Sequence, residues 1–259
     1  MRVDLISIFP SYFDSLKLAL FGKAIESGVV QINAVDLRDF ATGVHRSVDD
    51  TPLGGGAGMV MKPEVWARAL QGVIGDGKPL ITYPCASSPL FTQRAAHELS
   101  REEWIVVCCG RYEGIDERVW QWCLKKGWRV MGFCIGDYIL SGGESAACVM
   151  LEAVCRLLPG FMGNRASLEE ESYENGILEY SQYTRPFSWR GMDAPQILIS
   201  GDHGKVDRFR RDESLKKTDR FRPDLIERLW CRDLDKADSK LLKDLGWNLE
   251  GDRPKKEEK

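Results

Sequence analysis

"IGDYILSGGE", Ile135 to Glu144, reads as the end of a strand, a tight glycine turn and the start of a helix. Glycines placed after a strand mark a point where the backbone turns sharply or comes close to a ligand. The stretch matches neither familiar nucleotide pattern. No G-x-G-x-x-G occurs in the chain, and Gly142-Gly143-Glu144-Ser145 lacks the Lys and Ser or Thr of a phosphate cradle. A ligand held here is therefore not gripped by its phosphates. Gly72 to Lys78 fits G-x-x-x-x-G-K, but Pro79 follows and the run precedes a strand, so it reads as a turn.

Working outward from this turn, apolar periodicity alternates between strand and helix. Strands are expected at Val3–Phe9, Val29–Leu37, Pro79–Tyr83, Trp104–Cys109 and Trp128–Ile135. Helices are expected at Ser11–Ser27, Lys62–Ile74, Thr92–Leu99, Ile115–Lys126 and Glu144–Leu158, the last closed by Pro159-Gly160. This alternation predicts an α/β fold, a mostly parallel sheet with helices on both faces. Ligands in such folds bind at the carboxyl ends of the strands, where "TYPCASSP", "CGRYEGIDE" and "IGDYILSGGE" all fall.

The texture changes after Gly160. Residues 161–194 are polar and carry Glu169, Glu170 and Glu171, which reads as a flexible linker between domain 1–160 and a second domain. Residues 195–250 return to a helical pattern and form a small C-terminal domain; the tail, 251–259, is expected to be disordered. Between Gly201 and Arg232, ten Lys and Arg face seven Asp and Glu, with Arg208, Arg210 and Arg211 beside Phe209. The plain reading is a solvated helix face. Arginine next to an aromatic also suits a nucleic-acid backbone and an unstacked base.

Composition bounds the rest. A net charge of -3 over 259 residues gives no global attraction to nucleic acid, so any RNA contact must be local. No two of the eight cysteines have C-x-x-C spacing and most sit in apolar runs, which predicts free buried thiols in a reducing cytoplasm and no metal site. "MRVDLISIFP" is too short and interrupted for a signal peptide, Glu152 breaks the most apolar helix, and neither a membrane nor DNA is called for.

Two further loops stand out. "HRSVDDTPLGGGAGM" joins a His, an Arg, two carboxylates and four glycines; a plain surface connection does not need Gly54, Gly55, Gly56 and Gly58 together, so a loop that orders around an RNA or a cofactor is expected. In "CGRYEGIDERV", helix N-terminal chemistry explains Asp116 and Glu117, whereas Arg111 and Glu113 sit where a ligand would. Arg156 near a helix end and Glu171 in a polar loop each have ordinary explanations as well, dipole compensation and solvation.

Taken in order with "LPGFMG", "YTRP" (Tyr183–Pro186) and "LISGDH" (Leu198–His203), these motifs resemble the bacterial tRNA (guanine-N1)-methyltransferase family, TrmD, from Arg2 to about Trp230. The resemblance implies a SPOUT-type domain whose chain passes through a trefoil knot near its carboxyl end, an exception to the rule that chains avoid knots. It implies S-adenosylmethionine as the methyl donor, a sulfonium cation held by Tyr83, Pro84, Gly110, Tyr112, Glu113, Ile135, Gly136, Tyr138, Ile139, Leu140, Gly142 and Gly143. It implies tRNA as substrate, methylated at the guanine just 3′ of the anticodon and contacted by His45, Arg46, Asp50, Gly55, Gly56, Arg111, Arg185, His203 and Arg208. N1 of neutral guanine carries a proton, so a base must remove it; by resemblance Glu171 takes that role, assisted by Arg156 and Mg²⁺, in a homodimer whose site forms at the subunit interface.

The chain departs from the family in four places: Glu171 where Asp is usual, "YPCASSP" in the first cofactor loop, Leu53 where tyrosine is common, and a longer stretch between Val119 and Ile135. A related enzyme acting on another base or a ribose, a silent tRNA-binding protein and a nucleotide-phosphate enzyme are the competing readings; the intact glycine turn opposes the second and the missing phosphate motif the third.

Overall fold

The computed structural model describes residues 1–164 and 166–257, and the chain divides into two compact units, Met1–Gly163 and Asn164–Lys259. In the first unit the strands are β1 (Arg2–Ser7), β2 (Gln31–Asp36), β3 (Asp49–Asp50), β4 (Val60–Met61), β5 (Leu80–Pro84), β6 (Trp104–Cys108) and β7 (Arg129–Phe133). Between them lie α1 (Ala19–Glu26), α2 (Pro63–Ile74), α3 (Gln93–Leu99) and α4 (Arg118–Lys125), and after β7 comes α5 (Glu144–Cys155). The expected parallel sheet is present, in the order β2-β1-β6-β5-β7, all of its pairings parallel.

Side-chain alternation along the strands divides the core in two. Val3, Leu5, Ile105 and Val107 face α1, α3 and α5, packing on Phe21, Ala96, Leu99 and Met150. Ile6, Ile81, Val106 and Cys108 face α2 and α4, packing on Trp66, Leu70, Val119 and Trp120. Both faces are thus covered, which is what nearly continuous apolar strands require.

The structure corrects several boundaries. The helix expected over Ser11–Ser27 is a 3-10 turn, Pro10–Lys17, followed by α1, with Leu18 extended between them. Gly22 permits the break: a methyl on its α-carbon would collide with the Lys17 carbonyl, which folds tightly against it. The helix expected from Ile115 begins only at Arg118, because Gly114 (φ 115°) and the Asp116 carboxylate, which accepts from the Arg118 N–H at 2.9 Å, hold the preceding residues in a turn. Residues 49–61 form a β3–β4 hairpin in which Asp49 pairs with Met61 and Asp50 with Val60, the glycines filling its end.

In the second unit α6 (Ala166–Glu169) is followed by the hairpin strands β8 (Ser188–Trp189) and β9 (Met192–Asp193), then α7 (His203–Phe221), α8 (Pro223–Ile226), α9 (Lys236–Asp244), β10 (Trp247–Asn248) and β11 (Lys255–Lys256). Its core is Ile177, Leu215, Ile226, Leu242 and Trp247. Ile177, from the stretch read as a linker, is therefore part of a folded core. The tail expected to be disordered instead pairs β11 antiparallel with β10, and Pro254 is buried. Arg253 lies 3.5 Å from the Trp230 ring centroid and Lys256 reaches the Leu245 carbonyl at 3.0 Å, contacts that composition alone does not reveal. The last two residues of that tail lie outside the described residues. No helix is long and apolar enough to cross a membrane among the described residues.

Candidate active site

Three loops leave the carboxyl ends of β5, β6 and β7 and enclose a cleft of about 630 Å³. Tyr83, Pro84, Gly110, Tyr112, Glu113, Ile135, Gly136, Tyr138, Ile139, Leu140, Gly142 and Gly143 all line it, so the structure brings together every residue expected to hold the cofactor. Cys85, Ala86, Ser87 and Ser88 add a wall from the unusual first loop, and Trp120 stacks on Tyr83 with ring centroids 3.8 Å apart.

Glycine is required here by proximity. A methyl on Gly143 would sit 3.1 Å from the Cys109 α-carbon and 3.2 Å from the Gly110 nitrogen, because the Gly143 N–H donates to the Gly110 carbonyl at 2.9 Å. A methyl on Gly142 would run into the Arg111 guanidinium. The third loop is thereby laid directly on the second.

Arg111 is the staple between them. Its Nε is 2.9 Å from Glu144 Oε2, an ion pair in which the N–H direction misses the oxygen, so charge and not a formed hydrogen bond holds it. The Glu144 side chain is 1% exposed, and its other oxygen accepts from the Ser7 hydroxyl at 2.5 Å. The guanidinium also lies 4.9 Å from the Phe9 ring centroid and donates weakly to the Ser141 carbonyl at 3.4 Å. Arg111, expected to contact substrate, spends its charge inside the protein. Glu144 and Ser7 were not singled out from sequence; Glu144 was in plain view in the opening motif, but a helix-start glutamate is ordinarily solvated, and only its burial shows otherwise.

The glycine hairpin is tied to the same place. The Glu113 N–H donates to the Met59 carbonyl and the Met61 N–H to the Gly114 carbonyl, both at 2.9 Å, and a methyl on Gly58 would strike the Glu113 carboxylate. Gly55 (φ 79°) and Gly56 (φ 122°) take left-handed backbone that other residues disfavour. His45, Arg46, Asp50, Leu53, Gly55 and Gly56 are exposed along this loop. Arg46 pairs with Asp39 and donates to the Arg38 carbonyl at 3.0 Å, while Asp50 faces Lys62 at 3.8 Å.

Electrostatics separate the cleft from a phosphate site. Among the described residues lining it, Arg111 is the one base and is already neutralised, whereas Glu113 and Glu117 contribute carboxylates. Burial pushes the Tyr83 phenol up, with Cys85 and Glu117 adding to the shift. Partial burial raises the Cys85 thiol, but hydrogen bonds from Ser87 and Ser88 outweigh it and hold the group below the ordinary thiol range. No group of three or more His, Cys, Asp or Glu able to hold a metal ion occurs among the described residues.

The remaining expected site residues fall in both units. Arg156 caps the C-terminus of α5 in the first unit. Glu171 is half-buried in the second, where Arg185 is exposed and His203 opens α7 behind the Asp202 cap, whose carboxylate accepts from the Lys205 N–H at 3.1 Å. Arg208, expected to meet tRNA phosphate, is paired with Asp212 (2.6 Å), Asp235 (3.1 Å) and Asp238 (2.7 Å), and Arg211 also holds Asp238 at 2.9 Å. Much of the basic cluster is internally compensated.

A family model described as tRNA (Guanine-1)-methyltransferase TrmD matches residues 1–228. The chain is 54% identical over 272 residues to a tRNA (guanine-N(1)-)-methyltransferase of Bifidobacterium animalis subsp. lactis, with 99% of each chain covered. It is 51% identical over 250 residues to the protein of that name from Renibacterium salmoninarum, covering 95% of each. The corresponding protein of Paenarthrobacter aurescens is 50% identical over 252 residues, covering 96% of this chain and 94% of its own.

Proposed function

The chain belongs to the tRNA (guanine-1)-methyltransferase family, TrmD, and we propose from this that it methylates N1 of the guanine immediately 3′ of a tRNA anticodon, with S-adenosylmethionine as donor. The observation that carries the donor assignment is the cleft itself. Among the described residues it has backbone-lined glycine loops, an apolar rim of Tyr138, Ile139 and Leu140, two carboxylates and no uncompensated base, a lining that suits a phosphate-free cation. When bound, S-adenosylmethionine supplies an electrophilic methyl group on sulfonium sulfur. Gly110, Gly136, Gly142 and Gly143 would hold it by close backbone approach, and Glu113 and Glu117 would favour its positive charge.

The target guanine leaves its stack to be alkylated, as base-modifying enzymes require. Glu171 then removes the N1 proton, and Arg156 stabilises the negative charge that gathers on O6. Glutamate is one methylene longer than the usual aspartate but has the same basicity class. Mg²⁺, also implied by the resemblance, meets no ligand cluster among the described residues, and no step is assigned to it.

We further propose that the chain is knotted and dimeric. In support of the knot, residues 134–143 leave β7 at the sheet edge, pass beside Leu90 and return to the end of β6 at Gly110 and Arg111. In support of a dimer, Leu18, Leu20 and Val149 are exposed on the first unit, Leu18 by 66%.

The test is methyl transfer from labelled S-adenosylmethionine to a tRNA transcript with guanine after the anticodon, beside a copy carrying adenine there. Label on the first alone is expected. Label on both or neither, with donor still bound, overturns the substrate assignment. Glu171→Gln should abolish turnover and spare donor binding; turnover retained in it moves the base elsewhere.

A further inference from the structure

The segment that bears the three consecutive glutamates is closed on itself and anchored to α7. Ile177 is buried against Leu215 and Trp247. The Leu178 N–H donates to the buried Thr218 hydroxyl at 2.9 Å, and that hydroxyl donates onward to the Ser214 carbonyl at 2.6 Å. Within the loop, the Tyr173 N–H donates to the Ile177 carbonyl at 2.8 Å, the Glu179 N–H to the Ser172 hydroxyl at 3.0 Å and the Asn175 amide to the Glu169 carbonyl at 2.8 Å. The Glu174 N–H closes a further turn on the Glu171 carbonyl at 3.3 Å.

Tyr180 completes the closure from the far end. Its hydroxyl donates to Glu170 Oε2 at 2.6 Å, and the Arg210 guanidinium lies over its ring, 4.8 Å from the centroid. Burial and the Glu170 hydrogen bond both raise this phenol above its ordinary range, so near neutral pH it is a protonated donor. One of the adjacent carboxylates is thereby fixed by a ring that α7 itself clamps.

We propose that Tyr180 is a positioning residue for methyl transfer: by tethering Glu170 it orients the turn that presents the neighbouring Glu171 to the guanine. The inference rests on the reading of Glu171 as the base. It also gives Glu170 a role distinct from that of its neighbour, as the anchor of the loop.

The experiment is a cycle of Tyr180→Phe, Glu170→Ala and their double variant in the full-length chain, with Glu170→Gln as the conservative variant and Glu171→Gln beside them. One hydrogen bond to a charged acceptor corresponds to roughly a tenfold change in rate. Tyr180→Phe is expected to lower kcat about tenfold with KM for tRNA and donor unchanged. Glu170→Ala should match it, the double variant should be no slower than either single one, and Glu170→Gln, which keeps an acceptor, should recover most of the rate. In hydrogen exchange, the Tyr173 and Glu179 amides should lose protection in Tyr180→Phe while the Leu215 amide in α7 keeps it. Wild-type kcat in Tyr180→Phe while Glu171→Gln is inactive overturns this inference alone, as do independent, multiplicative losses in the double variant. Turnover retained in Glu171→Gln overturns the base reading and this inference with it.

Discussion

Replacing Arg111 by Met keeps most of the side-chain volume and the contact with Phe9 but removes the charge beside Glu144. Glu144 Oε2 is then a buried oxygen with its counter-charge gone, since the side chain is 1% exposed and, among the described residues, the Ser7 hydroxyl on the other oxygen is the partner that remains. Breaking a buried pair from one side costs about 3–5 kcal/mol, most of it the desolvation of the carboxylate left behind. Arg111 is 20% exposed, which places the expected loss near the lower end, about 3 kcal/mol. For a unit the size of Met1–Gly163 that lowers Tm by roughly 6–12 °C.

Glu144→Gln removes the charge and keeps an acceptor for Ser7, so it should cost less, about 1–2 kcal/mol. The double variant should lie close to Glu144→Gln, giving a coupling energy of about 2 kcal/mol or more. Urea unfolding of the three variants measures this, and calorimetric titration of S-adenosylmethionine reads the accompanying release of the Ser141–Gly142 turn as a weakening of about tenfold. A loss below about 0.5 kcal/mol in Arg111→Met, with additive effects in the double variant, refutes the staple. Weaker tRNA binding with unchanged donor affinity would return Arg111 to the substrate.

Two other outcomes follow from the same site. Near neutral pH, iodoacetamide should modify Cys85 first, because Ser87 and Ser88 lower that thiol while burial pushes Cys123 and Cys155 up to about 12; S-adenosylhomocysteine should slow the labelling, and peptide mass spectrometry that finds another cysteine ahead of Cys85 contradicts this. The Asp116 carboxyl lies below its ordinary value chiefly because Arg118 donates to it from its side chain, at 2.9 and 2.7 Å, so its contribution to stability is present above an unfolded value of about 3.9 and lost as pH falls through the lower folded value. Asp116→Asn should therefore be less stable than the parent chain at pH 6 and converge with it on acid unfolding; a gap that widens toward low pH reverses the assignment.

The order of strands and helices in the first unit was legible because a period of two and a period of 3.6 depend only on local residue spacing, and glycine at a strand end carries its conformational meaning with it. The three loops of the cleft were found in the same way, at the strand ends of the inferred sheet. The split at Leu18 was not legible, since it depends on how closely the Lys17 carbonyl folds against Gly22. The strand in the tail depends on β10 lying opposite Lys255–Lys256, a partner that a charged and polar composition does not announce.

Charged residues divide most sharply between what the sequence by itself determined and what only the tertiary structure decided. Sequence placed Arg111, Glu144 and Arg208 on particular loops and helices, and by its motifs it determined the family. It could not say which of those charges face water. Burial sets the cost of a charge, and burial is decided by strands and helices distant along the chain: β1 brings Ser7 to Glu144, and α9 brings Asp238 to Arg208 and Arg211. The same residue type therefore serves as an internal staple at Arg111 and as a solvent-exposed group at Arg185, and only the fold distinguishes the two.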